Sequence, residues 1–439
     1  HVPQGHLLRG IDRFLDLSGL HDHLAPYYSH TGRPSIDPEL MIRMLIIGYC
    51  YGIRSERRLC EEVQLNLAYR WFCGLSIEDT VPDHSTFSKN RHGRFRDAET
   101  FRFVFEQVLQ RCFAEGLVGG EGFAVDASLV KADASPRRHH EDDDDDWGGG
   151  SRAVEEYLNS LDRSIPEAGQ APKRVSQTDP AARWAAARSK ETFYAYSSNY
   201  LIDTDAGIIM DVEATPANRT FEVASTRAMM ERVEERFKVK PERLIGDTAY
   251  GTAELLGWLV DEQGITPHIP VWDKSDGKDE LFGRSDFRWE AEADRYLCPG
   301  GKPLLRNRRK FKKTRSGITK AKTVIYRASK TDCDRCAMKM QCCPGHDPRK
   351  IHRSIHEDAR DLARALATTE AFADSGNERK KVEMLFGHMK KILKVDRLRL
   401  RGLSGARDEF LLTATAQNLR RMAQWLGTGP PGALAGAVP

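Results

Sequence analysis

Apolar residues recur at helical spacing through the first quarter of the chain. Ile11, Phe14, Leu15, Leu17, Leu20 and Leu24 begin the series, as one buried face of a 3.6-residue period requires. Gly32-Arg33-Pro34-Ser35 breaks it. Asp37-Pro38-Glu39 then opens a second helix, with Asp at the N-cap and Pro in the first turn. Leu40, Met41, Met44, Leu45 and Tyr49 form its inward stripe. Ser55 to Glu61 starts another helix, and Leu67 to Phe72 follows. Pro82-Asp83-His84-Ser85-Thr86-Phe87-Ser88 caps one that runs through Lys89, Arg91, His92 and Arg94. Residues 1–115 therefore read as a helical domain. Its short helices and basic, Ser/Thr-rich final member suit a helix-turn-helix-like unit, with Ser85, Thr86, Lys89 and Arg91 nearest a DNA duplex. A dimerising or packing domain is the alternative.

From Gly122 the period shortens. Phe123 to Val130 has the apolar, β-branched look of a buried strand. Residues 136–180 are polar and loop-rich, with one helical piece from Val154 to Leu161. Phe193 to Ile202 and Gly207 to Ala214 predict a hairpin turning at Asp203-Thr204-Asp205-Ala206. A helix from Phe221 to Phe237, a strand from Arg243 to Asp247, a helix from Thr252 to Glu262 and a strand from Ile265 to Val271 complete the run. That order predicts a mixed α/β sheet covered by helices. Residues 116–271 form its first part, and 272–350 interrupt it with Lys, Arg, Gly and Cys. Helical text resumes over 351–426, at Ala359 to Phe372, Glu378 to Leu393 (with Ser375 and Glu378 as a capping box) and Ala406 to Leu426. Residues 427–439, rich in Gly, Pro and Ala, are expected to be a flexible tail.

Composition narrows the picture. At 439 residues, 40% hydrophobic and 30% charged, the chain exceeds one core and cannot be disordered throughout. No uncharged apolar stretch approaches membrane-spanning length; Leu40 to Cys50 is short and carries Arg43. His1 to Gly10 lacks a secretory pattern, and a chain opening on His rather than Met is expected to have its native start upstream. The net charge of +3 hides strong segregation. Glu141 to Asp146 is a run of six acids, Lys302 to Lys322 holds ten Lys/Arg and no acid, and Arg379 to Arg401 holds nine against two. Single runs are often only solvated faces. Two in one near-neutral chain point to a polyanion such as nucleic acid.

Nine cysteines make an odd number for a disulfide framework, so a reducing cytoplasm fits. Cys50, Cys60, Cys73 and Cys112 lie in apolar helical text and read as reduced core residues. The other five crowd together. Cys298-Pro-Gly-Gly is a knuckle-like turn, and Cys333-x2-Cys336-x5-Cys342 adds three thiols. The set resembles a zinc ribbon with Cys298, Cys333, Cys336 and either Cys342 or Cys343 as ligands. Free thiols are the alternative. The basic segment between them, with Arg308, Arg309, Lys310, Lys312 and Lys313, would form an arm against DNA phosphates. His346 reads as a surface residue.

Three acids could carry chemistry. Asp126 is the first polar residue after Phe123-Ala124-Val125, and Asp247 ends Leu244-Ile245-Gly246 before a tight turn. Strand ends are where ligands gather in such sheets; a helix-capping or turn Asp is the alternative for either. Arg379, Glu383 and Lys390 share one flank of a helix, which alone is an ordinary surface pair. Asp203, Asp205 and Asp211 read as turn or surface residues.

Taken together, Val125-Asp126-Ala127-Ser128, Ile245-Gly246-Asp247-Thr248-Ala249-Tyr250-Gly251 and Arg379-x3-Glu383-x6-Lys390 resemble the signature of bacterial insertion-sequence DDE transposases. Arg33 to Pro38, Asp83 to Ser88 and Asn418-Leu419-Arg420-Arg421 extend the resemblance over most of the chain. It implies an RNase H-like catalytic domain. It also implies Asp126, Asp247 and Glu383 as ligands of two Mg²⁺ or Mn²⁺ ions, and Arg379 and Lys390 on phosphate near the scissile bond. Such an enzyme binds terminal inverted repeats, cuts there and joins 3′-OH ends to target DNA. A homodimer and the bacterial nucleoid follow, with no membrane and no small-molecule substrate. Gly376 stands where related transposases often carry Tyr, which leaves a stacking ring for a flipped base in doubt. An RNase H-like nuclease without strand transfer and a non-catalytic DNA-binding derivative are the rival readings.

Overall fold

The computed structural model describes residues 2–28, 35–140, 151–162, 174–186, 191–272, 281–306 and 316–426. The acidic run, the basic arm residues Arg308, Arg309, Lys310, Lys312 and Lys313, and the expected tail at 427–439 lie outside these. Two compact units divide the chain, His1–Ile245 with Asp374–Pro439, and Gly246–Ala373. The N-terminal helices thus share a unit with a sheet, and the second unit is wider than the 272–350 excursion.

In the first unit, α1 (Leu7–Phe14), α2 (Pro38–Cys50), α3 (Glu56–Leu65), α4 (Leu67–Phe72), α5 (His84–His92) and α6 (Thr100–Ala114) lead to the sheet. Asp37 caps α2, accepting from the Glu39 N–H at 2.9 Å. Met41 through Ile47 are all buried except Arg43, so α2 is enclosed rather than one-faced. The sheet contains β1 (Gly122–Lys131), β2 (Arg183–Ala186), β3 (Thr192–Asp203), β4 (Ile208–Pro216) and β5 (Arg243–Ile245). β3 pairs β1 antiparallel along one edge and β2 then β4 along the other. β5 joins β1 in parallel, with Gly122, Phe123 and Ala124 opposite Arg243, Leu244 and Ile245. Between β1 and β2, α7 spans Arg152–Asp162.

Helix α8 (Arg219–Phe237) covers one face, where Arg232 pairs with Asp211 at 2.9 Å and with Glu213 at 2.7 Å. Asp211 is 1% exposed and also meets Arg102. It is a buried ion-pair residue rather than the surface acid expected, because two arginines compensate its desolvation. Asp203 keeps a turn role, accepting from the Gly120 N–H at 2.8 Å.

The second unit opens with a turn at Thr248–Tyr250, α9 (Ala253–Gly257) and β6 (Thr266–His268). β7 (Arg288–Glu290), β8 (Arg295–Leu297), β9 (Pro303–Arg306), β10 (Thr323–Ala328) and β11 (Lys350–Ser354) then form an antiparallel meander. Its core is Phe287, Tyr296, Leu304, Tyr326 and Ile351. The strands are too short, and too interrupted by Lys and Arg, for alternation to announce them. α10 (Glu357–Leu366) follows.

The chain re-enters the first unit along α11 (Glu370–Lys391), and α12 (Gly402–Leu426) ends it. The expected capping box does not form. Ser375 is buried inside α11, and the Thr369 hydroxyl accepts from the Phe372 N–H at 3.3 Å instead. α12 ties sheet to helices: the Asn418 side chain bonds both backbone groups of Ile209 at 2.9 Å, and Arg420 reaches the Cys50 carbonyl at 3.0 Å. Among the described residues no helix is long and apolar enough to cross a membrane.

Candidate active site

Burial changes along β1 at the residue that matters. Phe123, Ala124 and Val125 are fully buried, and Asp126 is the first half-exposed position. Its carboxylate accepts from the Ala127 N–H at 2.8 Å. Across the strand pair Asp126 stands opposite Tyr200, so the two side chains share a face of the sheet. Tyr200 is fully buried. Its ring stacks on Phe386 of α11, with centroids 4.8 Å apart, and its hydroxyl donates to Gln417 at 2.7 Å.

α11 therefore covers the face that carries Asp126. Its course is fixed at three heights: Glu378 pairs with Arg243 at 3.2 Å, Lys381 donates to the Thr204 carbonyl at 2.6 Å, and Phe386 meets Tyr200. Thr204 binds the carbonyl of Gly122, so the helix climbs from the level of Gly122 to that of Asp126. Glu383 lies between the last two of these anchors. Its side chain is 59% exposed and pairs with Arg379 at 3.4 Å. Lys390 is half-buried, and burial lowers its pKa against the opposing pull of Asp396.

Asp247 belongs to the second unit, two residues beyond Ile245 as Asp126 is two beyond Ala124. It caps the following turn, accepting from the Ala249 N–H at 2.7 Å. The motif glycine Gly251 is required there, since a Cβ would sit 2.0 Å from the Pro270 carbonyl oxygen.

Three carboxylates are the oxygen donors that hard divalent cations prefer. Among the described residues, however, no three His, Cys, Asp or Glu side chains are gathered closely enough to hold a metal. That holds for the cysteines too, although Cys333 has Cys343 and Cys298 beside it. The sulfurs of Cys298 and Cys336 also flank Gly300. No cysteine is in a disulfide.

On α5, Asp83 caps the helix through the Ser85 N–H at 2.8 Å, and Ser85, Thr86 and Lys89 are exposed. Arg91 is not. It is 6% exposed, paired with Glu56 at 3.0 Å and bonded to the Tyr49 hydroxyl at 3.0 Å. A duplex cannot reach it; helical spacing from Phe87, also buried, was the available sign. Sequence reasoning also passed over Tyr200 and Phe386, which read only as apolar positions.

The chain matches no curated protein. Two family models do match: the Transposase domain (DUF772) over residues 1–93, and the Transposase DDE domain over residues 297–423. The second spans Arg379, Glu383 and Lys390; Asp126 and Asp247 lie outside both. With a transposase domain at each end of it, the chain belongs to the insertion-sequence DDE transposases.

Proposed function

We propose that this transposase binds the terminal inverted repeats of its element, cleaves there and transfers the 3′-OH ends to target DNA. Its sheet and helices would form an RNase H-like core. Asp126, Asp247 and Glu383 would carry the chemistry. The observation that supports this most is the packing of α11 on the Asp126 face through Tyr200 and Phe386.

DDE transposases generally use divalent metals such as Mg²⁺. Asp126, Asp247 and Glu383 would hold such ions, which would supply charge stabilisation for an in-line displacement. The chain's own cations have separate work. Lys390 and Arg379 would hold the phosphate group beside the cut, and Arg379 also orients Glu383. Exposed Ser85, Thr86 and Lys89, with the basic arm, would grip the duplex. Two ends must be cut in one complex, so a homodimer is the smallest active assembly. The cysteine set would hold one structural zinc ion.

Purified protein incubated with end DNA, a target plasmid and Mg²⁺ tests the reading. Cut ends joined to the plasmid support it. Cutting without joining leaves a nuclease, and binding without cutting leaves a non-catalytic derivative.

A further inference from the structure

Beyond Asp126, β1 runs on to Lys131 and opens onto a cavity of about 590 Å³. Residues 396–398 run beside the strand end there, with the Lys131 N–H bonded to the Asp396 carbonyl at 3.1 Å and the Leu398 N–H to the Lys131 carbonyl at 2.8 Å. Arg397 and Arg401 line this cavity, as does Phe193 of β3. All lie in the first unit.

The charges do not balance. Arg397 and Arg401 share a single carboxylate, Asp133, each at 3.0 Å. Lys131 is matched by Glu191 at 2.8 Å, and Arg138 adds a further cation to the lining. Among the described lining residues, four cations thus face two acids. Each shared guanidinium keeps N–H donors for an anion, in the fork geometry that suits phosphate. Phe193, with Lys131 5.0 Å from its ring centroid, adds an aromatic surface.

We infer that this cavity is a binding site for a phosphodiester group of the DNA strand, held by Arg397 and Arg401. It rests on the transposase reading above and deepens it. Lys131 lies five residues beyond Asp126 along the strand, roughly 17 Å. That is the rise of about five nucleotides along a B-form helix axis. The site therefore holds the strand at a distance from the carboxylates and sets which phosphate reaches them.

Fluorescence polarisation of the full chain with a labelled mixed-sequence duplex at low salt tests this. The double substitution R397Q/R401Q is expected to weaken binding roughly tenfold, the loss of about one charge-assisted contact. The slope of log affinity against log salt should fall by about one. Asp133→Asn should strengthen binding by freeing both guanidinium groups, a gain that mere damage to the fold cannot produce. Affinity and slope left unchanged by R397Q/R401Q, in a variant that melts as the parent does, would overturn the proposal while leaving the transposase reading intact. So would inorganic phosphate binding with the same Arg397 and Arg401 dependence when the duplex has none, which would make the site one for free anions. A parent chain that binds no DNA is the distinct outcome that overturns the transposase reading and this one together.

Discussion

Tyr200 of β3 stacks on Phe386 of α11, ring centroids 4.8 Å apart and planes within 20°. The contact links two candidate carboxylates without involving either. Tyr200 is the cross-strand partner of Asp126, and Phe386 follows Glu383 by three residues on the same helix. Because Phe386 is 6% exposed, Phe386→Ala should cost about 3–5 kcal/mol of stability. It should also lower cleavage more than DNA affinity, since it loosens Glu383 and leaves the basic surfaces alone. Thermal melts with paired binding and cleavage assays check this.

The two basic residues of α5 should behave oppositely. Lys89→Ala removes an exposed cation, so it should weaken DNA binding, flatten its salt dependence and leave stability unchanged. Arg91→Ala strips the partner from Glu56 within a buried pair, and should destabilise by about 3–5 kcal/mol. Denaturant titration of both variants separates the roles.

Asp179 should make stability depend on pH. Burial pushes its pKa up to about 6, against the hydrogen bonds from Tyr196 and the Gly402 N–H. The folded state therefore holds a proton that the unfolded chain releases near pH 4. Stability from this group is fully present below about pH 4, falls as pH rises to about 6, and is level above. The loss amounts to roughly 2–3 kcal/mol. Asp408, raised to about 6 by burial despite Arg96, adds a parallel slope. Asp179→Asn keeps an acceptor for Tyr196 and Gly402, and should flatten about half of the decline in melting temperature measured between pH 4 and 7.

Zinc is checked directly. Protein prepared without chelator should carry about one zinc per chain, held at about 2.3 Å from thiolate sulfur. Elemental analysis and X-ray absorption read both quantities. Protein without zinc would return the five clustered cysteines to free thiols.

Where local chemistry fixed an element, the sequence announced it. Asp37 before Pro38, Asp83 before His84 and the change of period at Gly122 all mark real boundaries. Reading failed where tertiary partners decide. Nothing near Asp211 shows that Arg102 and Arg232 will bury it. Ser375-Gly376-Asn377 looks like a helix start, yet the helix runs through it because Ser375 is enclosed. The carboxylates were legible as motifs, whereas the packing that relates Asp126 to Glu383 rests on Tyr200 and Phe386. Those two residues lie 186 apart and look like any other core aromatics.

The central claim is that Asp126, Asp247 and Glu383 perform the cut while other residues bind the DNA. The most direct measurement compares cleavage and end-binding for Asp126→Ala, Asp247→Ala and Glu383→Ala, each with Mg²⁺ or Mn²⁺. All three should abolish cleavage and retain parental affinity for end DNA. Undiminished cleavage by any one of the three would contradict it.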